Sequence, residues 1–444
     1  MGDLMPTDDE IRKIIVKKKR RKARIKRVVA AALLLIVLFL TMQSRQTSSF
    51  DYSVMQPIGD ESAEAPKIKA EAASLYSLDL DRPVYEKNAD KKIDPYSITK
   101  ILTCYLAYEN LDPNEKVTIT KATAEKDYED GAYILLFEGE VLTINDLLYS
   151  TMLASANDAA HALAVAVSGS EKKFAELMNE TVKEWGCNDT HFVNPNGWKN
   201  KNHYTTAHDM AIITKHCFEN ENVKKLSMVE DYTVPATNKF DAKDIFNVFR
   251  KTVDGIDNIT CGKTGSWEDD DCSIVLEFEE DNLSAAMVLL RDTKEKRPDD
   301  IEKLMEFSHV VTPGFQVASE GEAVARTRVK YGAETEVGLS IDKTVKAYPK
   351  DINKKNIKVL INPNNLEAPL KKGSEAGSYT VMVDGKKLES GKLYATEDVE
   401  KGWVLSRFYI SNKKTLLGGG IVLFAAALII VLRFSARSSK RKSS

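Results

Sequence analysis

The chain has 444 residues, 43% hydrophobic and 29% charged, with a net charge of −3, which is ample for one large domain and a smaller one. The first 27 residues carry 11 basic and 4 acidic side chains and the last 12 carry five basic and no acidic ones, so −15 is left for the rest. That acidic middle argues against nucleic acid as a partner, and five cysteines without a C-x-x-C pair argue against a disulfide scaffold.

In chain order, a basic segment (1–27) precedes VVAAALLLIVLFLTM at 28–42, which lacks an A-x-A-like cleavage site after it. This run predicts an uncleaved membrane anchor, with a signal peptide as the alternative. TLLGGGIVLFAAALIIVL at 415–432 precedes a second basic block (433–444) and predicts a transmembrane helix, although three glycines weaken it. The two basic flanks predict both termini in the cytoplasm and residues 43–414 outside, with the membrane bilayer as a partner.

Between the runs, residues 43–69 are polar and aperiodic and read as a linker. ASLYSLDL and PVYEKN read as paired strands around a turn at Asp81–Pro83, and helical patterns dominate from 95 to about 225. DYTVPATN, NITCGKTGS and CSIVLEFEEDNLSAAMVLL then return to strands, with a hairpin turn at Glu280–Asn282, and IEKLMEFSHVV closes the region as a helix. This predicts an α/β (α+β) domain over 70–312, with a mixed helical region and a sheet formed from both ends. Short alternating segments over 313–410 predict a small all-β domain, with a spacer or partner-binding role.

Three polar constellations interrupt these elements. In DPYSITKILTCYLAYENL, Asp94 reads as an N-cap and Pro95 as the first helical residue. Ser97 and Lys100 are then i,i+3 neighbours on one helix face. A lysine serves as a base only when burial or another positive charge lowers its pKa. In TMLASANDAAHALAVAV, Thr143 and Asp146 form an upstream capping box, and Ser155-Ala156-Asn157 is a polar break between apolar helices. Its plainer reading is a helix connection capped by Asn157 or Asp158. In CGKTGSW, glycines flank Lys263 and Thr264 on a segment that reads as an edge strand. A P-loop is excluded, because Asp257 stands where its first glycine belongs and a strand follows.

S-x-x-K, S-x-N and K-T-G in this order are the signature of serine penicillin-binding proteins and class A β-lactamases. With YEKNADKKIDPYSITK, LTINDLLYSTMLASANDAAHALAVAVSGS and THFVNPNGWKNKNHYTTAHDMA, residues 70–312 resemble the low-molecular-mass D-alanyl-D-alanine carboxypeptidases. LEAPLKKGSEAG extends the resemblance into the β domain. The resemblance implies a serine β-lactamase/transpeptidase-like fold, peptidoglycan pentapeptide stems as substrate, β-lactams as covalent inhibitors, and no cofactor or metal. It implies Ser97 as nucleophile, Lys100 as base and Ser155 as proton relay, with Asn157 orienting Lys100 and the substrate amide. Lys263 and Thr264 would receive the terminal carboxylate, Gly265 would lie along the substrate, and the N–H groups of Ser97 and Ser266 would form the oxyanion hole.

Two departures stand out. Residues are inserted between Asp254-Gly255 and Lys263, and Trp267 occupies the place of a threonine that helps hold the carboxylate. No E-x-x-L-N loop lies between the second and third motifs, which opposes a β-lactamase. A D,D-endopeptidase and a weakly active peptidoglycan-binding scaffold are the alternatives. Arg291 is a candidate positive charge for the cleft, and Cys261 and Cys272 are candidates for a bridge across the sheet.

Overall fold

The computed structural model describes residues 48–125 and 131–420, with scattered positions between 9 and 27. The elements that frame the site are β1 (Ala72–Ser77), β2 (Arg82–Lys87), α1 (Lys100–Asn110), α2 (Ile144–Met152), α3 (Asn157–Ser168), α4 (Ala207–Glu219), β3 (Ile259–Glu268), β4 (Asp271–Glu280), β5 (Leu283–Asp292) and α5 (Arg297–Val311). The five strands form one antiparallel sheet in the order β2-β1-β5-β4-β3, so the two ends of the domain meet at its centre. β3, which carries the K-T-G motif, is an edge strand.

The apolar run of β5 is explained by burial on both faces. Ala286, Val288 and Leu290 face the helical core with α1 to α4, whereas Ala285, Met287 and Leu289 pack with Ile301, Leu304 and Met305 of α5. The period of two thus divides one strand between two cores. β4 and β5 are joined through Asp281 and Asn282, whose φ values of 50° and 64° suit the type I′ turn that matches strand twist. At the start of α2, Thr143 and Asp146 form the expected reciprocal capping box, worth about 1 kcal/mol.

A second core lies in the region from Gly314 onward, where a six-stranded sheet buries Val324, Leu339, Tyr379, Val381 and Leu393. The chain before the first domain also enters it. Gln56–Ile58 pairs with Gly314–Ala318, and Phe50 and Met55 are buried against the small-domain core.

The two membrane spans are corrected by the structure. Among the described residues no helix is long and apolar enough to cross a membrane. Residues 28–42 and 421–432 lie outside the described residues, and the described part of the second run belongs to a helix over 412–420. Among the described residues the fold is therefore an α+β domain followed by a small all-β domain, with no membrane-spanning helix. The bilayer partnership, the outward orientation and the cytoplasmic termini rested on those spans and lose their support. Hydropathy registers an apolar run wherever it occurs, and it does not by itself make a spanning helix.

Candidate active site

The segment that carries the serine folds differently from its sequence pattern. Pro95 sits at the N-cap of a short 3-10 turn, Tyr96–Thr99, without a side-chain cap, and α1 starts only at Lys100. The Asp94 carboxylate instead lies 3.8 Å from the Arg291 guanidinium. Tyr96 adopts φ 55°, a left-handed conformation that costs an L-residue roughly 1–2 kcal/mol. Its hydroxyl donates to Asp271 on β4 at 2.6 Å, which ties the turn to the sheet.

Two glycines let neighbouring backbone close on this turn. A Cβ at Gly197, which has φ +80°, would stand 1.8 Å from Tyr96 O. On the other side, a Cβ at Gly265 of β3 would stand 2.9 Å from Ser97 N. No side chain fits at either place without displacing the serine.

Lys100 is completely buried, and its Nζ lies 2.8 Å from each of Ser97 Oγ, Asn157 Oδ1 and the Asn196 carbonyl oxygen. Burial first, and then the charge of Lys263, hold its pKa well below the ordinary lysine value. A neutral amine has two N–H groups and one lone pair. The two obligate acceptors, Asn157 Oδ1 and Asn196 O, take the two N–H groups and leave the lone pair for the Ser97 hydroxyl.

Lys263 is equally buried and donates to Ser155 Oγ at 3.1 Å and to Thr264 O at 2.9 Å. Burial pulls its pKa down to about 7. Ser155 is held at φ 59° in the break between α2 and α3. The N-cap of α3 is Ala156, with no side-chain cap, so Asn157 is free to hold Lys100. Asp158 accepts from the backbone N–H groups of Ile134 and Leu136 and thereby fixes the segment opposite.

These groups converge on a cleft of about 660 Å³, lined among others by Ser97, Ser155, Asn157, Thr264, Gly265 and Ser266. All eight residues expected at a site are thus gathered in or directly behind one cleft. Tyr96, Asn196, Gly197 and Trp198 are among the further lining residues that had not been singled out. The signal for Asn196, Gly197 and Trp198 was the turn-rich Asn-Pro-Asn-Gly-Trp, where Asn194 Oδ1 accepts from the N–H groups of Gly197 and Trp198. Among the described residues, no group of three or more His, Cys, Asp or Glu is placed to hold a metal ion.

Arg291 does not line the cleft. It faces Glu71, Asp94 and Asp271 at 3.3 to 3.8 Å, and so braces the groups around Tyr96 from behind. Cys261 and Cys272 are free thiols. Cys261 pairs with Glu277 and Cys272 with Ser266 in the β3–β4 register. The two cysteines are thus offset by five strand positions, roughly 17 Å, beyond the reach of a disulfide.

A family model described as D-alanyl-D-alanine carboxypeptidase matches residues 60–294. The chain belongs to this family. Residues 314–401 match a second model, described as penicillin-binding protein 5, C-terminal domain. Among curated relatives, D-alanyl-D-alanine carboxypeptidase DacF of Bacillus subtilis is 31% identical over 75% of this chain and 86% of its own length. DacC of Escherichia coli is 28% identical over 79% of this chain and 89% of its own. Penicillin-binding protein 5 of Haemophilus influenzae superposes with a TM-score of 0.53 at 26% identity, covering 76% of this chain and all of that structure. Both domains of the chain therefore have counterparts in the family, and the cleft lies in the part matched by the first.

Proposed function

We infer that the chain is a serine-type D-alanyl-D-alanine carboxypeptidase that removes the terminal D-alanine from peptidoglycan stem peptides through an acyl-enzyme. The observation that carries this reading is the contact between Ser97 Oγ and the buried amine of Lys100, whose other two partners only accept. In this reading Ser97 Oγ attacks the penultimate D-alanine carbonyl as its proton passes to Lys100 Nζ. Negative charge forms on the carbonyl oxygen, where the N–H groups of Ser97 and Ser266 receive it.

Collapse of that intermediate breaks the peptide bond, and the leaving amine takes a proton relayed through Ser155 Oγ. Water then attacks the ester, gives its proton back through Lys100 and frees Ser97. Lys263 and Thr264 receive the substrate carboxylate, and Asn157 holds both Lys100 and the substrate amide. A β-lactam would enter the same sequence as far as the ester. We assign the catalytic unit to 70–312 and the small β domain to 313–410, with residues 50–58 packed onto the small domain.

The test is D-alanine release from a pentapeptide ending in D-Ala-D-Ala, compared between the wild type and Ser97→Ala. Serine-dependent release supports the reading. An acyl-enzyme with penicillin but no release of D-alanine would point instead to a D,D-endopeptidase or a scaffold.

A further inference from the structure

The two N–H groups that receive the oxyanion come from different elements. Ser97 belongs to the turn before α1, and Ser266 belongs to the edge strand β3. Their separation is therefore set by whatever joins the turn to the sheet. The close packing of Gly265 on Ser97 N limits how near the two elements come. Contact of that kind only repels, and it does not stop them from moving apart.

Tyr96 supplies the attraction. It directly precedes Ser97, is buried, and donates its hydroxyl to Asp271 Oδ2 at 2.6 Å. Asp271 opens β4 next to Cys272, and Cys272 is the register partner of Ser266. The Tyr96–Asp271 bond thus starts one residue from the first oxyanion donor and ends one residue from the strand partner of the second. Trp267 is the extra residue of a bulge in the same corner, because Ser266 pairs with Cys272 and Glu268 with Asp271. Its indole stacks on the Tyr96 ring at 6.3 Å and 28°. Burial first, and then the bond to Asp271, hold the Tyr96 pKa far above the ordinary tyrosine value, so the phenol remains a donor.

Arg291 closes the corner from the other side. Its guanidinium lies 3.7 Å from Asp271 Oδ1 and 3.8 Å from Asp94 Oδ2. Asp94 stands two residues before Tyr96, so the guanidinium joins turn and sheet a second time. The left-handed backbone of Tyr96 is an unfavourable conformation for an L-residue, and these ties oppose its relaxation.

We propose that Tyr96 is a positioning residue for the oxyanion hole, its hydroxyl and Asp271 fixing the Ser97 N–H against the Ser266 N–H while Arg291 holds Asp271. This rests on the carboxypeptidase reading above, which assigns those two N–H groups. The hydroxyl touches no reacting atom and acts only through the spacing of the donors. That spacing matters when charge develops on the carbonyl oxygen, so it speeds both formation and hydrolysis of the ester. Initial binding of the ligand does not depend on it.

The test is rapid-mixing kinetics with benzylpenicillin over a range of concentrations, which separates the noncovalent constant from the acylation rate. Tyr96→Phe keeps the ring and removes the hydroxyl. Its acylation rate should fall roughly 10- to 100-fold, less than the ~10²–10³-fold that follows loss of an oxyanion donor. The noncovalent constant should stay within about twofold of wild type, and hydrolysis of the penicilloyl ester should slow as much as acylation does. Asp271→Ala should reproduce the loss. Adding Tyr96→Phe to Asp271→Ala should cost little more, because both changes break one bond. An unchanged acylation rate in Tyr96→Phe, or losses that multiply in the double variant, would overturn the proposal. So would a noncovalent constant that weakens as much as the rate falls, the mark of a disordered cleft. If the wild type forms no ester on Ser97, the carboxypeptidase reading itself fails; if it does and Tyr96→Phe matches it, only the positioning role fails.

Discussion

Lys100 Nζ and Ser97 Oγ lie 2.8 Å apart, with the amine buried and its remaining partners restricted to acceptors. That arrangement makes the amine a base and not merely a neighbour. Lys100→Ala is expected to lower the rate of acylation by penicillin about 10³-fold, within the range of general-base losses. Stopped-flow acylation kinetics check this; a loss of only a few-fold would show that another group takes the proton.

Asn157 Oδ1 is one of the two acceptors that fix the Lys100 lone pair. Asn157→Ala leaves one N–H of Lys100 unpaired inside the protein, at a cost of about 1–3 kcal/mol. The amine can then rotate away from Ser97. Acylation should slow roughly 10- to 100-fold, with the serine still accessible to penicillin. Chemical denaturation and acylation rates together separate the loss of stability from the loss of orientation.

The pKa of about 7 at Lys263 gives the free enzyme an alkaline limb. Its charge receives the substrate carboxylate, so kcat/KM should fall as pH rises through about 7 and the amine loses its proton. Lys263→Arg keeps the charge at every accessible pH. The limb should disappear in that variant, whatever its absolute rate, in a kcat/KM profile from pH 6 to 10 (roughly the range over which a lysine so placed titrates).

His203 joins the 192–198 loop to the serine turn. Its Nε2 lies 3.1 Å from Thr99 Oγ1, and its Nδ1 accepts from Val193 N at 3.2 Å. Burial pulls its pKa from 6.5 to about 3. The unfolded chain therefore binds the proton first, and the folded protein loses stability as pH falls from 6.5 toward 3. The full loss is on the order of 5 kcal/mol. Urea midpoints at several pH values in that window should fall steadily for the wild type and flatten in His203→Gln.

Gly265 and Gly197 are tested by adding a single methyl group. Gly265→Ala places a Cβ 2.9 Å from Ser97 N and Gly197→Ala places one 1.8 Å from Tyr96 O. Both should displace the serine turn and abolish acylation. Gly169, where a Cβ would meet nothing within 4 Å, is the control: Gly169→Ala should keep acylation while losing a little stability from its positive φ.

The parts of the site that were legible in the sequence are those where a side chain does the work on a strongly patterned element. Ser97, Lys100, Ser155, Asn157 and Lys263 each break an apolar run, and their order on predicted helices and an edge strand was enough to group them. Asn196 was not legible, because it acts on Lys100 through a backbone carbonyl that any residue could supply. The left-handed Tyr96 was hidden by Pro95, which made the segment read as an ordinary helix start. Arg291 and Asp94 looked like a cleft charge and a cap, and their pairing depends on β5 lying next to β4. The cysteine offset depended on strand register, which composition does not carry. The membrane spans were inferred from the length of the apolar runs and their basic flanks, and residues 28–42 and 421–432 lie outside the described residues.

The central claim is that Ser97 is the nucleophile, and the most direct measurement is peptide mapping by mass spectrometry after brief exposure to benzylpenicillin. The account predicts one penicilloyl group per chain, on Ser97, and none in Ser97→Ala. An adduct on another residue, or one that persists in Ser97→Ala, would contradict it.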